Sequence, residues 1–287
     1  MVVLTHNGRA HRDEFLSVCI LLAVNPTVSR IVRHEPSKEE LLSKEVFVVD
    51  TGQEYSPETL NFDHHQMESK WDEPVCSLTL ILRHFGLEAQ ARNVFPWLRP
   101  TEAGDVFGLA GTAAAAGIDK NVDIRPLLSP VEKAILERFS AVDELTPEHP
   151  MFDEMKSIGD ALMSELRTVS HRLEALKHRT QLLEFSGHLA ILNKIARDQD
   201  PELGFNLFIE REHPEALVAI VEDQRGSGWK LFRRRPEVLD LRRIAESPDV
   251  GFAHSGGFLA TTRALLPADQ LVGLLDAAIA PPVAKAA

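Results

Sequence analysis

VVLTHNGRAHRDEFLSVCILLAVNPTVSRIVRHEPSKEELLSKEVFVVDTG, residues Val2 to Gly52, decides the fold class. Val2 to Thr5 predicts a strand, and Glu14 to Val24 an apolar helix ended by Asn25-Pro26. Val28 to Arg33 predicts a second strand, Lys38 to Ser43 a short helix opened by Pro36-Ser37, and Val46 to Asp50 a third strand. Short β-branched runs alternating with helical patterns indicate a parallel sheet with crossover helices. A strand without polar alternation, such as Val46-Phe47-Val48-Val49, suits a sheet covered on both faces. His6 and Asp50 fall at or just past the carboxyl ends of two such strands, where open α/β sheets bind ligands.

Three stretches of this first quarter concentrate metal-binding side chains: THNGRAHRDEF (Thr5 to Phe15), VVDTG (Val48 to Gly52) and FDHHQ (Phe62 to Gln66). His6, His11, Asp13, Asp50, Asp63 and His64 mix imidazole with carboxylate, the combination that divalent transition metals favour. Carboxylates bridge ions, and paired ions about 3.5 to 4 Å apart form a clamp for in-line attack at phosphorus. Each motif alone also fits a polar turn, with Asp13 as a helix N-cap and Asp50 as a turn residue before Gly52. Their occurrence together, in order and each after a strand, points to a metal-dependent hydrolase of a phosphoryl bond.

The totals narrow the class. A chain of 287 residues with 44% apolar and 26% charged residues suggests one large domain or two moderate ones with a real core. A net charge of −12 argues against a broad electrostatic footprint on nucleic acid, though not against a local basic groove. Cys19 and Cys76 sit in apolar helical patterns and are expected as two buried thiols. Without a secretory pattern at the start, or an apolar run near the ~18 residues of a bilayer span, the expectation is a cytoplasmic protein with no membrane partner.

Farther along, Pro74 to about Asp143 reads as mainly helical, including Ser77 to Phe85 and Pro130 to Val142. An amphipathic helical stretch runs from about Phe152 to Leu183. Leu189 to Leu192, Gly204 to Ile209, Ala216 to Glu222 and Trp229 to Phe232 read as extended, with a hairpin turn over Gln224 to Gly228. Val250 to Ala253 is a further strand, Thr261 onward looks helical, and the tail Ala277 to Ala287 is expected to fray. The expected organisation is a parallel-sheet catalytic domain over 1–148, a helical linker over 149–186 and a smaller mixed α/β substrate-binding domain over 187–287. No internal repeat is visible.

The chain resembles the DHH phosphoesterase superfamily, and more closely its melanocyte-proliferating-gene branch of metal-dependent hydrolases. The resemblance is carried by THNGRAHRDE, VVDTGQEYSPETLNFDHHQ, RHFG (Arg83 to Gly86), SAVDEL (Ser140 to Leu145) and GFAHSGGF (Gly251 to Phe258), a span from residue 5 to about 262. It implies two divalent ions, Mn²⁺ or Mg²⁺. One would be held by His6, His11 and Asp50, and the other by Asp13, Asp50, His64 and Asp143, with Asp50 bridging. It further implies that Asp63 orients His64 and that His65 faces the scissile phosphate.

Two positions depart from the branch pattern: Ala10 replaces an aromatic residue, and Glu144-Leu145 replaces Asn-Gly after Asp143. In the second domain, His254, Gly256 and Gly257 would cradle an anionic group. Arg233 to Arg235, Arg234 and Arg235 above all, and Arg242-Arg243 are dense basic clusters suited to phosphate. The branch is associated with 3′ to 5′ exonuclease action on RNA, so RNA or an oligonucleotide is the implied substrate. Alternatives are a small-molecule phosphatase or pyrophosphatase on the same site, or a noncatalytic metal-stabilised binding protein. One tyrosine and three tryptophans offer no evident base-stacking platform. His84, His34, His149, His171, His178, His188 and His213 have no partner spacing and read as ordinary surface or core residues.

Overall fold

The computed structural model describes residues 1–279, and the chain is an α/β protein. It divides into two compact units, Met1–Thr168 and Val169 onward.

In the first unit the order is β1 (Val2–Thr5), α1 (Arg12–Val24), β2 (Arg30–Arg33), α2 (Lys38–Leu41), β3 (Val46–Val49), β4 (Tyr55–Ser56) and β5 (Asn61–Phe62). The helices α3 (Ser77–His84), α4 (Glu88–Val94), α5 (Leu98–Ala115) and α6 (Pro130–Ser140) follow, then β6 (Glu144–Leu145). The long helix α7 (Pro150–Arg179) contains the division between units. The sheet order is β4-β5-β3-β1-β2-β6. β1 pairs in parallel with β2 on one side and β3 on the other, and β5 continues the parallel set. The chain therefore reverses its direction of travel across the sheet at β1, which opens a crevice at the carboxyl ends of β1 and β3. His6 and Asp50 are the residues that follow those two ends.

Both faces of the central strands are covered: Val3, Leu4, Ile31, Phe47, Val48 and Val49 are buried. Packing on α1 is close enough to require glycine. A Cβ at Gly159 of α7 would lie 1.9 Å from the Cys19 carbonyl oxygen. Met155 and Leu166 of the same helix are fully buried. The start of α7 is thus core of the first unit rather than a solvated tether. Cys19 and Cys76 are free buried thiols. Among the described residues, no helix is long and apolar enough to cross a membrane.

The second unit comprises β7 (Thr180–Phe185), β8 (His188–Asn193), α8 (Phe205–Glu212), β9 (Val218–Glu222), β10 (Trp229–Arg233), β11 (Val250–Ala253), β12 (Leu259–Thr262) and α9 (Ala268–Ala278). Its sheet order is β11-β12-β10-β9-β8-β7. Three segments differ from the sequence expectation. Gly204 to Ile209 is the left-handed cap and first part of helix α8, because β8 and β9 pair in parallel and need a crossover. Phe205, Phe208 and Ile209 bury the helical i, i+3, i+4 face. Thr180 to Phe185, read as the end of the amphipathic helix, is a strand that pairs with β8 through the left-handed turn Ser186-Gly187. Leu259 to Thr262 is a strand paired with β10 and β11, so His254 to Phe258 closes a hairpin rather than leading into a helix. Of the tail expected to fray, Ala277 and Ala278 close α9 and Ile279 bridges Leu239, while 280–287 lie outside the described residues.

Candidate metal centre

Five segments of the first unit deliver side chains to one buried cluster. His6 leaves β1 with its Nδ1 2.6 Å from the Asn7 carbonyl oxygen. That bond fixes the tautomer and leaves Nε2 for the site. Nε2 lies 2.6 Å from Glu14 Oε2 and 3.6 Å from Asp50 Oδ2. His11 is the N-cap residue of α1, its Nδ1 3.6 Å from Asp105 Oδ1. Asp13 sits in the first helical turn, where the helix dipole favours a carboxylate. Ser77 of α3 donates to Asp13 Oδ2 at 2.7 Å. Asp50 adopts a left-handed backbone, φ 60°, a conformation that aspartate tolerates better than most residues and that clusters at functional sites. His64 Nε2 lies 3.2 Å from Asp50 Oδ1 and 2.8 Å from Asp105 Oδ2.

The cluster is held from behind. Glu14, fully buried, accepts from the His11 main-chain N–H and from Arg33, whose guanidinium is itself buried against Phe139. Glu102, one turn before Asp105, accepts from Thr79 of α3 and Arg92 of α4 and so fixes α5 in place. These partners set the orientation of ligand side chains much as outer-layer residues do in metal sites.

Asp13 Oδ1, both carboxylate oxygens of Asp50, His64 Nε2 and Asp105 Oδ2 are buried without a hydrogen-bond partner. Buried polar atoms are nearly always satisfied, so five such atoms in one cluster form a donor set suited to a cation. The groupings His6, His11, Asp50 and His11, Asp13, Asp50, Asp105 each offer ligand atoms within 4.8 Å of one another. The ligand chemistry, carboxylate oxygen with imidazole nitrogen, fits divalent ions.

Electrostatics without an ion tell the same story. Asp50 and Glu14 push the His6 imidazole up to about 11. Burial works against a charged His64, yet Asp105 and Asp50 outweigh it and hold its pKa at about 10. Asp105 likewise raises His11. Burial pushes Asp13 well up, helped by the neighbouring Asp50 and Asp105 carboxylates. Burial also opposes ionisation of Asp50 and Asp105, but the histidines beside them hold both carboxyls below the usual range. Protons on histidine thus balance clustered carboxylates, and a divalent cation placed there would take over that role.

Three assignments change. Asp143 does not join the cluster: it is exposed in the connection from α6 to β6, where its carbonyl oxygen accepts from the Arg33 main-chain N–H. The additional carboxylate comes instead from Asp105 of α5, a residue that sequence reasoning missed. Asp63 does not orient His64. Its buried carboxylate accepts from the His65 main-chain N–H at 3.0 Å and the Gln53 N–H at 2.6 Å, and it lies 2.6 Å from His65 Nδ1. It therefore fixes His65, whose ring is half-exposed and packs 4.6 Å from the ring of His64.

In the second unit, the Gly256 N–H is bound by His254 Nδ1 and the Gly257 N–H by the His254 carbonyl oxygen. The expected anion cradle is therefore internally hydrogen-bonded. Arg233 reaches the Leu239 and Gly256 carbonyl oxygens, Arg235 that of Pro214 at 3.5 Å, and Arg242 pairs with Asp240. The Arg234 side chain is half-buried. His84 is exposed, packs edge-on against Phe62, and has its pKa lowered by the part of its ring that is covered.

Comparison with known proteins gives a likeness over part of the chain. Residues 2–107 match the model of the MYG1 exonuclease family, described as an uncharacterised protein family (UPF0160). The MYG1 protein of Dictyostelium discoideum is 36% identical over 94 residues, 30% of this chain and 28% of that protein. The human MYG1 exonuclease is 38% identical over 95 residues, 29% of this chain and 24% of that protein. The chain thus spans about a quarter of the length of the curated relatives it matches. Among solved structures, a pGpG-specific phosphodiesterase of Vibrio cholerae aligns over 96% of this chain and 99% of its own, at 12% identity and a TM-score of 0.33. The family match is shorter than the span of 5 to 262 read from the motifs, and it leaves SAVDEL and GFAHSGGF outside. It nonetheless contains His6, His11, Asp13, Asp50, Asp63, His64, His65 and Asp105, so the likeness to the MYG1 exonuclease family is carried by the segment that builds the buried cluster.

Proposed function

We propose that this chain is a metal-dependent phosphoesterase, a two-metal phosphodiesterase that removes nucleotides from the 3′ end of RNA or short oligonucleotides. The observation that carries the reading is the set of five buried oxygen and nitrogen atoms on Asp13, Asp50, His64 and Asp105 that make no hydrogen bond. The likeness of residues 2–107 to proteins named exonucleases supports the choice of reaction. In this reading His6, His11 and Asp50 would hold one ion, and Asp13, His64 and Asp105, together with Asp50, would hold the other. Mn²⁺ suits the histidine content, and Mg²⁺ is the alternative. Such ions, when bound, supply hydroxide near neutral pH and offset the charge that develops at phosphorus.

The chain's own residues do the rest. Asp63 anchors His65 through Nδ1 and leaves Nε2 of a half-exposed ring available to a phosphoryl oxygen. Glu14, Ser77 and the pair formed by Glu102 and Arg92 keep the ligands from relaxing when the ions leave. Arg234 and Arg235 of the second unit, with His254, are assigned to phosphate contacts. The test is hydrolysis of bis-p-nitrophenyl phosphate, pyrophosphate and a 5′-labelled oligoribonucleotide after EDTA treatment and return of Mn²⁺ or Mg²⁺. The reading predicts metal-restored cleavage of both diesters and a ladder shortened from the 3′ end. Cleavage of pyrophosphate alone, or none, contradicts it.

A further inference from the structure

Next to the ligand cluster lies a cavity of about 330 Å³ whose wall includes His11, Asp13 and Asp105. It shares Arg9, Ala10, Leu109, Leu128 and Leu136 with a second cavity of about 860 Å³. The two therefore adjoin, and the recess they form has the size of sites that take an organic ligand. Apart from Arg9 the shared residues are apolar, and Leu109 and Leu128 are both 43% exposed. These aliphatic side chains give a flat apolar ligand group a surface to pack on beside the polar cluster.

The charged groups of the recess sort themselves. Arg12 is paired with Glu132, Arg125 with Asp123, and Lys133 lies 3.7 Å from Glu137. Arg9 is exposed, and among the described residues its guanidinium has no hydrogen bond or ion pair. It is the one unsatisfied cation of the recess, and guanidinium is the side chain best shaped to grip phosphate. The floor is fixed by a relay: the Ala10 N–H donates to Ser140 Oγ at 2.8 Å, and Ser140 donates to the Leu136 carbonyl oxygen at 2.7 Å. Ala10 is 2% exposed and lines both cavities, so the small side chain at this position leaves the recess open. An aromatic ring there would fill part of it.

We infer that this recess binds the nucleoside part of the substrate, its base on Leu109, Leu128 and Leu136 and its adjoining phosphate on Arg9. The inference rests on the phosphoesterase reading and narrows it. Recognition of one nucleotide of the substrate is then built within the first unit.

The test is calorimetric titration of the full chain with uridine 5′-monophosphate, in EDTA and in Mn²⁺, for the native sequence, Arg9→Ala and Leu128→Asp. Both changes are at exposed or half-exposed positions, and Leu182→Asp on β7, 50% exposed, is the control. A lost charge-assisted phosphate contact should raise Kd by roughly 10- to 100-fold in Arg9→Ala. Leu128→Asp, which adds a carboxylate to the recess, should raise it by about the same. The KM for the p-nitrophenyl ester of thymidine 5′-monophosphate should rise in parallel. No binding of the nucleotide, or equal binding in both variants and the control, overturns the inference. If the ester is hydrolysed while both variants match the native sequence, the recess is wrong and the chemistry stands. If Arg9-dependent binding occurs in EDTA but no ester is cleaved, the recess stands and the phosphoesterase reading falls.

Discussion

Asp105→Asn should weaken metal binding sharply while Asp143→Asn should not. Asparagine keeps the shape of the Asp105 side chain and removes its charge. His64 Nε2 lies 2.8 Å from Asp105 Oδ2, both side chains being more than nine-tenths buried. Two unit charges at that separation attract by about 6 kcal/mol at an effective dielectric constant of about 20. Desolvation offsets much of this, leaving about 2 to 3 kcal/mol, or roughly 30- to 150-fold in an equilibrium constant. A divalent ion in place of the His64 proton feels at least that loss. Metal content by plasma mass spectrometry should therefore fall by about one equivalent per chain in Asp105→Asn at limiting Mn²⁺, and the calorimetric Kd of the weaker site should rise about 100-fold. In the metal-free protein, the His64 pKa, about 10, should drop toward its ordinary value when followed by NMR. Asp143 is exposed and outside the cluster, so Asp143→Asn should bind metal like the native chain and change stability by no more than about 0.5 kcal/mol. Loss of metal in Asp143→Asn with full retention in Asp105→Asn would refute the assignment.

The pH response is equally specific. His6 and His64, held at about 11 and about 10, contribute stability to the metal-free fold that is fully present below about pH 6.5 and is lost as pH rises through those values. The Tm in EDTA should therefore fall between pH 7 and 10, whereas the gain on adding Mn²⁺ should grow over the same range because protons stop competing; equal gains at pH 6 and 9 would count against histidine ligation. His65→Ala should keep its metal and lose turnover, and Asp63→Asn should follow it because Asp63 fixes His65; parallel loss of metal in His65→Ala would reverse the roles of the two histidines. Glu102→Gln removes the charge that receives Thr79 and Arg92, and should cost about 1 to 2 kcal/mol in urea unfolding, discounted because the Arg92 side chain is 38% exposed. Gly159→Ala puts a methyl group against the Cys19 carbonyl and should destabilise by about 1 to 3 kcal/mol, visible as a lower urea midpoint with an unchanged m-value.

The parallel sheet was legible because its signals are local. β1, β2 and β3 are β-branched runs bounded by proline and turn residues, and the alternation with helices dictates the connections. His6 and Asp50 were legible for the same reason, since strand ends at a switch point locate ligands without knowledge of packing. Asp105 was not. Its partners, His11 and His64, lie more than 40 residues away, and only a carboxylate set among Gly104, Val106 and small helical residues hints at it. Which histidine Asp63 holds depends on side-chain rotamers, which sequence spacing does not encode. In the second unit, Gly204 to Ile209 and Leu259 to Thr262 are too short for period to separate helix from strand. Tertiary context decides both, through a parallel crossover in one case and pairing with β10 in the other.

Anomalous diffraction from crystals grown with Mn²⁺ would locate the ions themselves. Two manganese peaks about 3.5 to 4 Å apart are expected, with Asp50 touching both, His6 and His11 on one, and Asp13, His64 and Asp105 on the other. A cluster without manganese at saturating concentration, or peaks ligated by Asp143 instead of Asp105, would contradict the two-metal reading.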